Sequence, residues 1–217
     1  MKIWVFLFAV LTGTITGVLI MHEAETLYGS DSTPDPAQLW DTLADAGGFA
    51  ITPSVGEELL SQRTIFSNTD INARSAREIA SRLLLLESRD PGEPITLYLR
   101  TEGGWEADAF TIIDIMNHIQ SPVTVIGMGD VHSAGIMILA AATGDRRAFR
   151  RTILGYHAPT SHQDGLALER YTTFMEFVSD LPEEWLRMRD DEMKYFTPEE
   201  AVTYGVIDSI LEAQFKK

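Results

Sequence analysis

The sequence predicts an α/β domain built on a mainly parallel sheet. Two observations carry this expectation. From about Leu59 onward, short β-rich runs alternate with amphipathic or apolar helical runs, the pattern of βαβ units. The residues with chemical potential fall at or just past the carboxyl ends of those runs, where open parallel sheets bind their ligands.

Each element follows from local pattern. Thr64-Ile65-Phe66 reads as a short strand. Ala73 to Glu87 carries Ala76, Ile79, Ala80, Leu83, Leu84 and Leu86 at helical spacing. Arg89-Asp90-Pro91-Gly92 is a turn, and Ile95 to Leu99 is a strand ending at Gly103-Gly104. Glu106 to Ile119 is an amphipathic helix with Phe110, Ile113 and Met116 on one stripe. Val123 to Met128 is a second β-rich run after Pro122. Ser133 to Thr143 is almost wholly apolar, which predicts a buried helix, and Gly144 stops it. Thr152 to His157 is a further strand.

The chain has 217 residues, 45% of them hydrophobic, enough for one full core and a short appendage. Acidic residues outnumber basic ones 32 to 17, a net charge of −15. That balance argues against nucleic acid and against anionic lipid headgroups. With no cysteine, disulfides, thiolate metal sites and Cys nucleophiles are excluded. No His, Asp or Glu cluster has a metal-ligand spacing, and neither a P-loop nor GxGxxG is present, so no cofactor is expected.

The N-terminus reads separately. Ile3 to Met21 is a run of 19 residues without charge. At about 1.5 Å per residue it reaches about 28 Å, close to the hydrocarbon thickness of a bilayer. It exceeds a usual signal-peptide core and no clean cleavage site follows, so an uncleaved transmembrane anchor is favoured over a cleaved signal peptide. Lys2 orients the anchor with the domain on the non-cytoplasmic side. The expected organisation is an anchor (1–22), a polar Pro-containing tether with a short helix at Ala37 to Ala46 (23–58), and the domain (59–217).

Ser133 lies 29 residues after Gly104, and His157 lies 24 residues after Ser133. A Gly-Gly turn leaving a strand can offer N–H groups to an oxyanion. A Ser at a strand-to-helix turn can be a nucleophile, and a His ending the next strand can be its base. The Ala134 N–H is placed to join Gly104 as an oxyanion donor. The ordinary alternative for Ser133 is a helix N-cap. His132 is expected to point away from Ser133 and to be structural, while His118 and His162 read as solvated. The three features together point to acyl transfer, foremost peptide-bond hydrolysis.

These residues resemble the proteolytic subunit of the Clp protease, the ClpP-like serine peptidases. The resemblance runs from about Leu59 to Leu211. Its landmarks are Arg63-Thr64-Ile65-Phe66, Leu86 to Pro91 leading into Ile95 to Leu99, and Gly103-Gly104. Ser121-Pro122-Val123, the glycine-flanked Ser133, Gly144 to Arg147, His157-Ala158-Pro159 and Thr197 to Asp208 follow. The resemblance implies the ClpP/crotonase fold of stacked ββα units, with Ser133 as nucleophile and His157 as base. It implies Gly104 and Ala134 as oxyanion donors beside Gly103, and assembly into a homo-oligomer, of which a ring is one form. Substrates are then peptides or unfolded polypeptide, already extended if the domain lies outside the cytoplasm.

The chain departs from the family pattern at three places. Thr101-Glu102 replaces the usual Ser-Pro before Gly-Gly, which puts a carboxylate near the groove. The stretch from His157 to Thr197 is shorter, with Tyr171 to Leu181 as a trimmed ring-stacking handle. Met193 stands where the triad acid is expected, with Asp190, Asp191 and Glu192 nearby as candidates. Two other readings stay open: a catalytically weak or inactive polypeptide-binding scaffold, and a crotonase-type acyl-CoA enzyme.

Overall fold

The computed structural model describes residues 53–158, 165–187 and 192–212. The expected anchor, the helix at Ala37 to Ala46, His162 and the candidate acids Asp190 and Asp191 lie outside the described residues. Among the described residues no helix is long and apolar enough to cross a membrane.

The chain opens with α1 (Pro53–Ser61), which begins within the stretch read as tether. Leu60 of this helix packs against the core. Strand β1 (Thr64–Asn68) follows, then α2 (Ala73–Arg89). Helix α2 starts at Asn72, whose side chain accepts from the Arg74 and Ser75 N–H groups while Ser75 Oγ accepts from the Asn72 N–H. This reciprocal cap satisfies donors that the first helical turn leaves free. Strand β2 (Ile95–Thr101) alternates inward Ile95, Leu97, Leu99 and Thr101 with partly exposed residues, as a pleated strand with one fully buried face must. Helix α3 (Glu106–His118) buries Ala109, Ile112, Ile113 and Met116.

Strand β3 (Val123–His132) is longer than the apolar run alone predicts. Helix α4 (Ala134–Ala140) is shorter than predicted, but all seven of its residues are buried. Four of them are large aliphatic or methionine side chains, each contributing about 1.5–3 kcal/mol by leaving water. Strands β4 (Arg146–Phe149) and β5 (Ile153–Tyr156) follow, then α5 (Gly165–Val178), α6 (Glu183–Leu186), β6 (Lys194–Phe196), α7 (Pro198–Thr203) and β7 (Ser209–Leu211).

The strands form one seven-stranded sheet with the path β1-β2-β3-β4-β7. Every pairing is parallel except that of β5 with β6. The expected mainly parallel α/β sheet is present. Its organising feature is a fork along β3. Val125 to Gly127 pair with β4, whereas Asp130 to His132 pair with β5. The buried Thr152 hydroxyl donates to the Gly127 carbonyl at 3.1 Å at the fork. The fork leaves the carboxyl end of β3 between the ends of β2 and β5, and that is where Ser133 sits.

At the other edge Arg146 joins β4 to the segment before β7. Its guanidinium donates to Asp208 Oδ1 at 3.0 and 2.5 Å, and its N–H donates to Asp208 Oδ2 at 2.8 Å. These bonds hold the Asp208 carboxyl below the usual carboxylate range.

Candidate active site

Ser133 occupies the turn between β3 and α4 with φ 52° and ψ −119°. A non-glycine residue there is held against its own backbone preference, at a cost of about 1–3 kcal/mol. Its N–H donates to the Gly155 carbonyl at 2.8 Å, and its carbonyl accepts from the Ile136 N–H at 2.9 Å. The side chain makes no capping bond to the helix. The N-cap alternative is therefore set aside: the residue stands at the N-cap position, but its hydroxyl does not cap.

The Gly-Gly turn is built by a single parallel bridge between Gly104 and Ile71. The Ile71 N–H donates to the Gly103 carbonyl at 2.7 Å, and the Trp105 N–H donates to the Ile71 carbonyl at 2.9 Å. A bridge of this kind uses the neighbours of Gly104 and leaves its own N–H unused. Among the described residues neither the Gly104 nor the Ala134 N–H donates to a protein acceptor. Gly104 has φ 144°, and a Cβ there would lie 1.9 Å from the Ile71 carbonyl oxygen. At Gly103, φ 110°, a Cβ would lie 2.7 Å from Ser133 Cβ. Both glycines are required by approach distance as well as by torsion. The turn and the serine are thus in direct contact.

His157 directly follows β5 and is half-buried. The β3–β5 register pairs His132 with Gly155, so Ser133 and His157 leave neighbouring strands side by side. The His157 Nδ1–H donates to the Ala158 carbonyl at 2.7 Å. This fixes the tautomer and leaves Nε2 as the basic nitrogen. The Tyr171 hydroxyl of α5 donates to the His157 carbonyl at 3.2 Å. Burial pushes the Tyr171 and Tyr156 hydroxyl pKa values up, so both stay protonated near neutrality. Among the described residues no hydrogen bond joins Ser133 Oγ to His157. Such bonds commonly tighten only when substrate binds. Met193 does not approach as an acid. Its sulfur packs near Gly155, 3.0 Å from where a Cβ would stand.

A sequence model described as Clp protease matches residues 51–179, more than half of the chain. The ATP-dependent Clp protease proteolytic subunit 1 of Mycobacterium tuberculosis strain H37Rv is 30% identical over 190 residues, covering 81% of this chain and 94% of the relative. The chain belongs to the Clp protease family. Subunit 1 of Prochlorococcus marinus strain MIT 9312 is 29% identical over 184 residues, covering 78% of this chain and 94% of its own. Subunit 2 of Thermobifida fusca is 32% identical over 169 residues, covering 71% and 83%. The ClpP-like reading of the sequence therefore stands.

Two features of this Clp protease family member were not foreseen. The first joins Glu102 to His132, with Nδ1 and Oε2 2.9 Å apart. His132 reaches the carboxylate of the residue that directly precedes Gly103. The second is Glu106, the first residue of α3, whose side chain is only 8% exposed. Its Oε1 accepts from Arg170 Nε and Nη2 at 3.0 and 2.9 Å. The Arg170 guanidinium also lies over the Phe110 ring, 4.6 Å from its centroid. The helix N-terminus and the arginine together compensate the buried charge. This contact ties α5 to the helix that leaves the Gly-Gly turn. No local periodicity marks either pair. Each depends on residues brought together by the sheet or by α5.

Proposed function

We propose that the chain is a membrane-tethered serine endopeptidase that cleaves peptides or unfolded polypeptide through Ser133 and His157. The observation that carries this reading is the strained Ser133, whose hydroxyl is not used as a cap and which touches a turn with an unused N–H. His157 Nε2 removes the proton from Ser133 Oγ as the oxygen attacks the peptide carbonyl. The Gly104 and Ala134 N–H groups bind the tetrahedral oxyanion, with Gly103 keeping the turn against the serine. Collapse forms the Ser133 ester, and His157 returns the proton to the departing amine. Water then hydrolyses the ester by the same route. An oxyanion donor of this type typically contributes about 3 kcal/mol to the transition state.

The imidazole is oriented in this proposal by the Ala158 carbonyl, and Asp190 or Asp191 is the acid that stabilises its charge. In full-length protein, His157→Ala should lower kcat for an unstructured peptide by about 10⁴-fold or more with little change in KM. Asp190→Asn and Asp191→Asn report which acid acts. A His157→Ala chain as active as the wild type would refute the base assignment.

A second reading is a non-catalytic polypeptide-binding relative. It is favoured by Met193, which offers no acid, and by the absent Ser133–His157 hydrogen bond among the described residues. It predicts peptide binding without turnover.

The anchor and assembly belong to the same proposal. Ile3 to Met21 holds the domain on the non-cytoplasmic side, and the domains associate as a homo-oligomer. Membranes carrying the full chain should retain it through alkaline carbonate washing, and a chain lacking residues 1–22 should be released. The detergent-solubilised chain should sediment as a multimer. Release of the full chain by carbonate, or sedimentation as a monomer, would contradict these two points respectively.

A further inference from the structure

The β2–β3 ladder is continuous from Ile95↔Val123 to Leu99↔Gly127, then resumes only at Thr101↔Val131. Two residue steps on β2, Leu99 to Thr101, face four on β3, Gly127 to Val131. Backbone pairing is therefore interrupted just before both strands deliver their turns, Gly103-Gly104 from β2 and Ser133 from β3. The loop-out at β3 is made by Gly129 at φ 57°.

Side chains span this interruption. Arg100 Nη2 lies 3.6 Å from Asp130 Oδ2 and 2.6 Å from Glu102 Oε1. Glu102 Oε2 lies 2.9 Å from His132 Nδ1. An ionised carboxylate only accepts, so His132 Nδ1 carries the hydrogen. Glu102 immediately precedes Gly103, and His132 immediately precedes Ser133. We propose that the Glu102–His132 hydrogen bond is a clasp that sets the Gly-Gly turn against the nucleophile, with both residues acting as positioning residues. The proposal rests on Ser133 being the nucleophile.

The far side of the clasp is buried and closely packed. His132 is 8% exposed. Its Cδ2 is packed so closely on Gly155 that a Cβ there would lie 2.7 Å away. The Tyr195 ring meets it edge-on with centroids 5.4 Å apart. Gly155 is also the residue whose carbonyl takes the Ser133 N–H. The imidazole is thus a fixed post beside the serine, and Glu102 is the movable partner, its side chain 52% exposed. Glu102 leaves the backbone before Gly103 without a fixed φ, and the bond to His132 supplies a restraint there. The buried Thr101 hydroxyl adds a second restraint by accepting from the Gly103 N–H at 3.0 Å.

The test uses the full chain, a fluorophosphonate probe and a peptide ester. Glu102→Ala removes the acceptor from an exposed position. His132→Phe keeps the ring and removes the donor. Each should slow labelling of Ser133 and lower kcat by about 10- to 100-fold, the size expected when a reacting group shifts by up to about 1 Å. KM should change less than about twofold, as expected when only transition-state contacts are lost. Glu102→Gln, whose amide oxygen still accepts, should recover most of the rate. The double variant Glu102→Ala/His132→Phe should lose no more than the worse single one, because the two residues act through one bond. Single variants that label at the wild-type rate, or losses that multiply in the double variant, overturn the clasp. A wild-type chain that does not label at Ser133 overturns the nucleophile assignment and the clasp with it, and is told apart because no variant is needed to see it.

Discussion

Ser133→Ala is expected to lower kcat/KM by about 10⁴-fold or more, because it removes the hydroxyl that forms the acyl ester. The same change should leave stability nearly untouched. Loss of a working N-cap costs about 1 kcal/mol, but the Ser133 side chain makes no capping bond. Ser133→Gly goes further. At φ 52° the wild-type residue is strained, and glycine relieves that strain. The Gly variant should be inactive and more stable than the wild type, by about 1 kcal/mol. Hydrolysis and denaturant midpoints measured on the same preparations check both halves. A stability loss of a full cap in Ser133→Ala would restore the capping role.

Gly104→Ala is expected to cost more stability than any surface substitution, more than about 3 kcal/mol. The added Cβ would stand 1.9 Å from the Ile71 carbonyl oxygen and 2.7 Å from its carbon. These are backbone atoms, so no rotamer change relieves the clash. The bridge must open, and it carries both the Ile71-to-Gly103 and the Trp105-to-Ile71 hydrogen bonds. With it goes the placement of the Gly104 N–H. The denaturant midpoint should fall, and any folded fraction should label poorly with fluorophosphonate. Gly165→Ala is the control, since a Cβ there meets nothing within 4 Å. A Gly104→Ala chain with wild-type stability and activity would mean the turn is not held as described.

Much of the fold was legible because its signals are local. The spacing of Ala76, Ile79 and Leu83 marked α2, and all three are buried. A β-rich run before Gly103-Gly104 marked β2, and an almost wholly apolar run marked α4 as buried. What escaped depended on partners. Arg146 to Phe149 reads as charged, yet becomes β4 because β3 and β7 flank it. Lys194 to Phe196 becomes β6 only against β5, in the antiparallel sense. Strand β3 runs past Met128 because Gly129 takes a positive φ and the chain returns to the sheet as far as His132.

The site divides the same way. The placement of Gly103, Gly104, Ser133 and His157 just past the carboxyl ends of β2, β3 and β5 was readable, because each follows a local β-rich run. Glu102 and His132 are 30 residues apart. Only the shifted register of β2 on β3 brings them together, and sequence spacing does not encode that shift. Glu106 opens α3, and its burial under Arg170 needs α5 in place.

The most direct test of the central claim is the site of covalent modification. Full-length protein treated with a fluorophosphonate probe, digested and sequenced by mass spectrometry, should carry one adduct, on Ser133. The Ser133→Ala chain should carry none. An adduct on a different residue, or labelling that persists in Ser133→Ala, would contradict the assignment.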